Sequence, residues 1–246
     1  MTYAKSSLYN TLFGGTSKQT GGGKPSIFKA NLSGLFKLIT DKKEFFIMVF
    51  ANLIAQLGIT YYVMEKVNLD ANDTETNKQI RYLGYLQILI VLILALVPMP
   101  SWLKFIIFCG FSAVWGCMFS VFRSAFGEDA VKMAMTGTIS IFALMFALGA
   151  GLILSGIQLG YKVGLMLFYF LLILLLIRIV QLFIPSSSLT KKIITICSLL
   201  LFSVYIVYDT NSILQRNYYG DFITASMDYY LDIINIFVNL ISFGRD

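Results

Sequence analysis

Residues 163–184 read VGLMLFYFLLILLLIRIVQLFI, twenty-two positions that carry a single charge, Arg178. As a helix rising about 1.5 Å per residue, such a segment reaches across the ~30 Å of hydrocarbon in a bilayer. Backbone groups in lipid must be hydrogen-bonded within their own segment, so a helix is the expected spanning element.

Six further apolar runs surround it: Phe45 to Met64, Tyr82 to Val97, Trp102 to Phe122, Ala130 to Leu154, Ile193 to Tyr208 and Phe222 to Phe243. The second and sixth of the seven runs are short and the last contains two aspartates, so six or seven spans are expected. Composition agrees, with 57% hydrophobic and 13% charged residues in 246, against roughly 25% charged in an average soluble domain. The fold class expected is therefore an all-α membrane protein, a bundle of seven transmembrane helices, with the lipid bilayer as its first partner. The segment from Glu65 to Arg81 is read as the one long polar loop; the other connections are short, which makes successive helices antiparallel neighbours in a single bundle over residues 44–246.

Residues 1–43 differ in kind. The first forty hold five lysines, ten Ser or Thr and the glycine stretches Gly14-Gly15 and Gly21-Gly22-Gly23, and no acid precedes Asp41. Two readings fit: a flexible basic tail kept on the negative-potential side of a membrane, or a mitochondrial import segment, which is basic, hydroxyl-rich and poor in acid. The seven lysines through Lys43 favour the N-terminus inside, whereas Lys191 and Lys192 would then lie on the opposite side and vote against it.

The absence of histidine removes the usual axial ligands of membrane haem, histidine zinc sites and any Ser-His or Cys-His catalytic pair. No lysine follows Lys192, which excludes a retinal Schiff base on the last helix. No resident cofactor, nucleic-acid partner or enzymatic activity is expected; the Gly-x-Gly-Asp setting of an intramembrane aspartyl protease surrounds neither Asp209 nor Asp232. Cys109, Cys117 and Cys197 all fall inside apolar runs and read as small packing residues. Three trios of small residues at four-residue spacing, Ser112/Gly116/Ser120, Ala143/Ala147/Gly151 and Gly156/Gly160/Gly164, are expected at close helix contacts.

Chemistry concentrates where polarity is costly. In the last run, Thr224, Asp228, Asp232, Asn235 and Asn239 step by four, four, three and four, which lines them along one helical face. An ionisable group at a bilayer centre costs at least ~2.5 to 3.5 kcal/mol, so this face should point into the bundle. Asp209 ends the sixth run after sixteen uncharged residues; it is either a polar residue at the interface or a partner for the last helix. Asp232, central in its run, is either a buried protonated carboxyl or half of a pair. Two carboxyls in one low-dielectric site cannot both ionise cheaply, so a pair would hold a proton or a cation and exchange one for the other. Arg178 lies seven residues before Pro185, roughly 10 Å of helix, and either snorkels to the interface or serves as a counter-charge to the aspartates.

Tyr208-Asp209-Thr210 on the penultimate run, followed by Tyr230-Leu231-Asp232-Ile233-Ile234-Asn235-Ile236-Phe237 on the last, closely resembles the paired signature of the Bax inhibitor family of transmembrane proteins. Lys43-Glu44-Phe45 through Gln56-Leu57 resembles its first helix, and Gly137-Thr138 with Phe142 its fourth, so the similarity runs from about residue 43 to 243. The resemblance implies seven helices, the last central or re-entrant. It also implies a hydrogen-bonded aspartate pair, here Asp209 and Asp232, that controls a pH-sensitive Ca2+ or Ca2+/H+ leak and acts as its cation-binding metal site. It links the chain to calcium homeostasis and suppression of cell death in endoplasmic reticulum, Golgi or mitochondria. Gly160 to Gly164, Leu182-Phe183-Ile184-Pro185 and Leu201-Phe202 look most like the growth-hormone-inducible branch of the mitochondrial inner membrane. Asn211 stands where the family often has Gln, Asp228 adds a third carboxyl, and Phe243-Gly244-Arg245-Asp246 is not the lysine-rich tail of reticulum members. A different class of reading is a non-transporting accessory subunit of a larger inner-membrane complex, docked on other subunits through its basic tail.

Overall fold

The computed structural model describes residue 40 and residues 43–183, 187–216 and 220–243. The basic tail and its docking role lie outside these residues apart from Thr40 and Lys43, as do residues 184–186 and 244–246. Among the described residues the chain forms seven helices: α1 (Lys43–Lys66), α2 (Thr74–Leu96), α3 (Ser101–Phe126), α4 (Glu128–Leu154), α5 (Tyr161–Phe183), α6 (Ser188–Arg216) and α7 (Phe222–Phe243). Five of them, α1, α3, α4, α5 and α6, are long and apolar enough to cross a membrane. The other two are as long, at 23 and 22 residues; α2 opens on polar residues and α7 carries the aspartates.

The two short apolar runs belong to longer helices, the first to the C-terminal part of α2 and the second to the middle of α6. α2 begins at Thr74, so the polar connection is residues 67–73 rather than 65–81. Asp73 causes this: its carboxyl accepts from the backbone amides of Glu75 and Thr76 and so caps α2 before the apolar run starts. Those bonds, with that of Thr76 the strongest, hold Asp73 below the ordinary carboxylate range, and Glu75 adds a favourable charge in the first turn. At the end of α3 the chain turns on Gly127, whose φ of 84° suits glycine and which joins α3 to α4 through one residue.

Two of the small-residue trios do not pack as expected. Gly156, at φ 79°, ends α4: Ile157 N–H bonds to Leu152 O and Gly156 N–H to Ile153 O, closing the last turn. Gly160 borders open space, whereas Gly164 meets the phenol of Tyr208. Ala143 and Ala147 are exposed; the close approach of α4 is made by Gly149, where a Cβ would stand 2.7 Å from Val207 O. The first trio does pack, since a Cβ on Gly116 would stand 2.6 Å from Thr60 O across α1 and α3.

The distribution of apolar surface is that of a membrane bundle. Along α5, Phe168, Tyr169, Phe170, Ile173, Leu175 and Leu176 are all exposed, a band that would associate in water and is solvated by acyl chains in lipid. The centre is α7, a single unbroken helix that packs against α3, α4 and α6. Tyr229 and Tyr230 on it are fully buried, the first among Phe50, Phe142 and Phe146, the second against Phe108 and Phe111. Phe237 closes on Phe119 at 4.6 Å between ring centroids.

Candidate functional site

α6 and α7 are each other's neighbours along their length, and the polar residues that close the apolar run of α6 turn inward. Asp209 and Asp232 are 7% and 4% exposed, and their carboxyls lie close enough to interact with each other directly. A carboxylate has no proton to give, so a hydrogen bond between them exists only while one of the two groups is protonated. Both carboxyls are buried inside the helix bundle, and Oδ2 of Asp232 has no hydrogen-bond partner among the described residues.

Each residue beside Asp209 has a separate task. Thr210 accepts from the Tyr229 hydroxyl at 2.9 Å and presses its side chain on Gly149. Asn211 accepts from Leu159 N–H at 2.8 Å and donates to Ile157 O at 3.1 Å, which pins the α4–α5 connection to α6. Gln215, one turn on, donates to the Asn211 amide oxygen and to Leu159 O. The Asn at 211 therefore serves as a clamp for the loop, with both amide ends in use.

The polar row of α7 divides into three. Asp228 is half-buried and acts electrostatically on both Asp209 and Asp232, yet among the described residues no group of three or more acids, cysteines or histidines is placed to hold a metal. Thr224 belongs to the helix cap: Asp221 accepts from its N–H at 2.9 Å and its hydroxyl at 2.6 Å, while Lys104 of α3 pairs with Asp221 at 2.7 Å and donates to Thr224. Burial alone would raise the Asp221 carboxyl; the bonds from Lys104 and Thr224 outweigh it and hold the group below its ordinary range. Asn235 and Asn239 donate to the carbonyls one turn back, and Asn239 accepts from Arg178 Nη2 at 3.2 Å. Arg178 thus meets the polar face seven residues, roughly 10 Å, beyond Asp232.

A second polar assembly, absent from the sequence reading, lies on the other side of α7. Asn52 donates to Ser226 Oγ at 2.5 Å, Gln56 to Asn52 Oδ1 at 3.2 Å, and Ser112 to Gln56 Oε1 at 2.8 Å; Thr60 and Tyr230 share a 2.6 Å hydroxyl contact. All six are buried. Its signal is in the sequence: Asn52, Gln56 and Thr60 step by four along one face of α1.

Comparison with known proteins places these elements. The family model described as Inhibitor of apoptosis-promoting Bax1 matches residues 42–244. Protein LIFEGUARD 4 of Arabidopsis thaliana is 35% identical over 82 residues, 33% of each chain. An uncharacterized protein of Helicobacter pylori is 32% identical over 117 residues, 47% of each chain. The Golgi anti-apoptotic protein of vaccinia virus is 34% identical over 80 residues, 32% of this chain and 33% of the relative. The alignments thus span between about a third and a half of these relatives' lengths.

Proposed function

The chain belongs to the Bax inhibitor family, and from that premise we propose that it is a non-enzymatic membrane protein that lets Ca2+ cross under control of Asp209 and Asp232. One observation carries the reading: two acidic side chains on neighbouring helices lie close enough to interact directly while both are buried. A shared proton holds α6 and α7 together at that point. Loss of the proton leaves two like charges in low dielectric, which must separate or take up a cation. Proton-controlled passage of a hard, oxygen-ligated ion such as Ca2+ follows from that alternative.

The family name and the anti-apoptotic viral relative support a role in restraining cell death, and the route assigned to it by this proposal is the calcium content of an internal compartment. The hydroxyl-rich N-terminus, free of acid before Asp41, favours the mitochondrial inner membrane for that compartment, and the Golgi relative names the alternative that fractionation would reveal.

Ca2+ efflux from proteoliposomes, measured in acid and in neutral buffer, tests the proposal with the wild type, Asp209→Asn and Asp232→Asn. Each variant is expected to lose the dependence of flux on pH. Wild-type, pH-sensitive flux in both variants would remove the pair from the mechanism. A chain that is silent in this assay and migrates only within a larger assembly on native gels would instead be an accessory subunit.

A further inference from the structure

A cavity of about 210 Å³ is enclosed by residues of α1, α3, α4 and α7. Leu57 and Met64 both line it, seven residues or about 10 Å apart along α1, so it is an elongated space. Its inner wall includes Phe119 and Phe237, 5% and 4% exposed, and its mouth is Tyr61 and Ile139, 50% and 66% exposed. The two helices that carry the mouth, α1 and α4, are both long and apolar enough to cross a membrane. The opening therefore faces sideways into hydrocarbon.

The inner wall has no hydrogen bond to offer a guest, because its two buried hydroxyls are engaged within the protein. Thr60 Oγ1 lies 3.0 Å from the carbonyl oxygens of Gln56 and Ser112 and 2.6 Å from the Tyr230 hydroxyl. Thr138 donates to Ala134 O at 2.8 Å. Water needs polar partners to stay in such a place, and an apolar cavity of about 150 Å³ remains dry even in a soluble protein while admitting a hydrocarbon guest. Left empty, the space forfeits dispersion contacts for every atom around it. The molecules that stand at the mouth in a bilayer are lipid tails, and a tail enters without giving up any hydration.

We propose that this cavity is a seat for one hydrocarbon chain of a bilayer lipid, which enters sideways past Tyr61 and Ile139. Tyr61 lies within electrostatic reach of Lys132 in the second turn of α4, and an amphipathic phenol beside a cation marks the lipid–water boundary. The polar head thus stays at that boundary while the tail runs inward along α1. There it meets Ile233 and Ile234, the two residues that follow Asp232 on α7. The seat is independent of any ion-controlling role of Asp209 and Asp232, since no carboxyl lines it.

The test is photolabelling of the full chain in phosphatidylcholine proteoliposomes that contain a phosphatidylcholine with a diazirine in one acyl chain, the adducts being located by mass spectrometry. Exposed residues of α5 such as Tyr169 and Leu176 will be labelled by bulk lipid in any case. The seat predicts adducts also on buried residues of the cavity, Ile234 and Phe237 of α7 among them. Met135→Phe, which narrows the cavity from α4, should abolish the α7 adducts and leave those on α5. Leu57→Phe narrows it from α1 and should do the same, so the result does not hang on one variant; retained α5 labelling and unchanged migration on native gels show that each is folded. Wild-type adducts confined to exposed faces would overturn the proposal, because the cavity would then be filled from within the protein, by the N-terminal residues or a second copy. Full α7 labelling in both narrowed variants would overturn it as well, since lipid would be reaching α7 by another route.

Discussion

The Tyr229 hydroxyl donates to Thr210 Oγ1 at 2.9 Å across the seam of α6 and α7, one residue from Asp209 and three from Asp232. This bond joins neutral groups and so persists whatever the charge of the aspartates, which makes it a fixed pin beside a switchable one. Tyr229→Phe keeps the ring among Phe50, Phe142 and Phe146 and removes only the pin. It should cost about 1 kcal/mol, read as a small fall in the unfolding midpoint in detergent, and Thr210→Val on the same background should cost little more, because the bond is already gone.

Close helix contact near the pair depends on one glycine. A Cβ on Gly149 would stand 2.7 Å from Val207 O and 2.8 Å from Thr210 Cβ, so Gly149→Ala must push α4 off the backbone of α6. A loss of about 1–3 kcal/mol is expected, together with altered Ca2+ flux, since the displaced turn carries Asp209. At Gly151, where nothing lies within 4 Å, alanine should be neutral or stabilising by up to about 1 kcal/mol. Equal effects at the two positions would show that α4 does not pack through Gly149.

The amide network of α1 is fully matched, and that makes it sensitive. Gln56 accepts from Ser112 and donates to Asn52, so Gln56→Leu leaves Ser112 Oγ and Asn52 Oδ1 unmatched in the interior. Stability should fall by about 1–3 kcal/mol, measured by thermal unfolding of the solubilised protein. The double change Gln56→Leu with Ser112→Ala should recover part of the loss, because it removes one of the stranded groups.

These three sites differ in how plainly the sequence announced them. The helices were legible because each contains an apolar run with no other stable place to go, and Asp209 and Asp232 stood out because charge is rare where hydrocarbon surrounds the chain. Asn52, Gln56 and Thr60 share the same spacing rule as the α7 row, yet uncharged amides and hydroxyls are cheap enough to pass unnoticed inside Phe45 to Met64. The small-residue trios failed in part because alanine and glycine are tolerated against lipid as well as at contacts, so spacing alone does not separate Ala143 and Ala147, which are exposed, from Gly149. The polar start of α2 reads as loop in the sequence because the apolar pattern begins only at Tyr82, whereas the helix is set by a cap, Asp73, and not by hydrophobicity.

The N-terminus of α7 gives the clearest pH test. Lys104 is nearly buried, with 14% of its side chain exposed, and its ammonium sits 2.7 Å from Asp221, whose carboxyl also caps the helix through Thr224. Burial works against the carboxylate, and the contacts with Lys104 and Thr224 more than offset it, so the folded-state value lies below the ordinary 3.8. A depressed carboxyl contributes stability that is complete above its unfolded value and disappears as pH falls through the folded one. The unfolding midpoint of the wild type should therefore drop as pH is lowered from about 4, and Asp221→Asn should flatten that part of the profile while lowering stability at neutral pH by about 1 kcal/mol. Lys104→Met should lower neutral-pH stability as well, since it leaves Asp221 half-buried without its cation. An acid limb that stays unchanged in Asp221→Asn would mean that other carboxyls set the acid sensitivity and that this cap does not anchor α7.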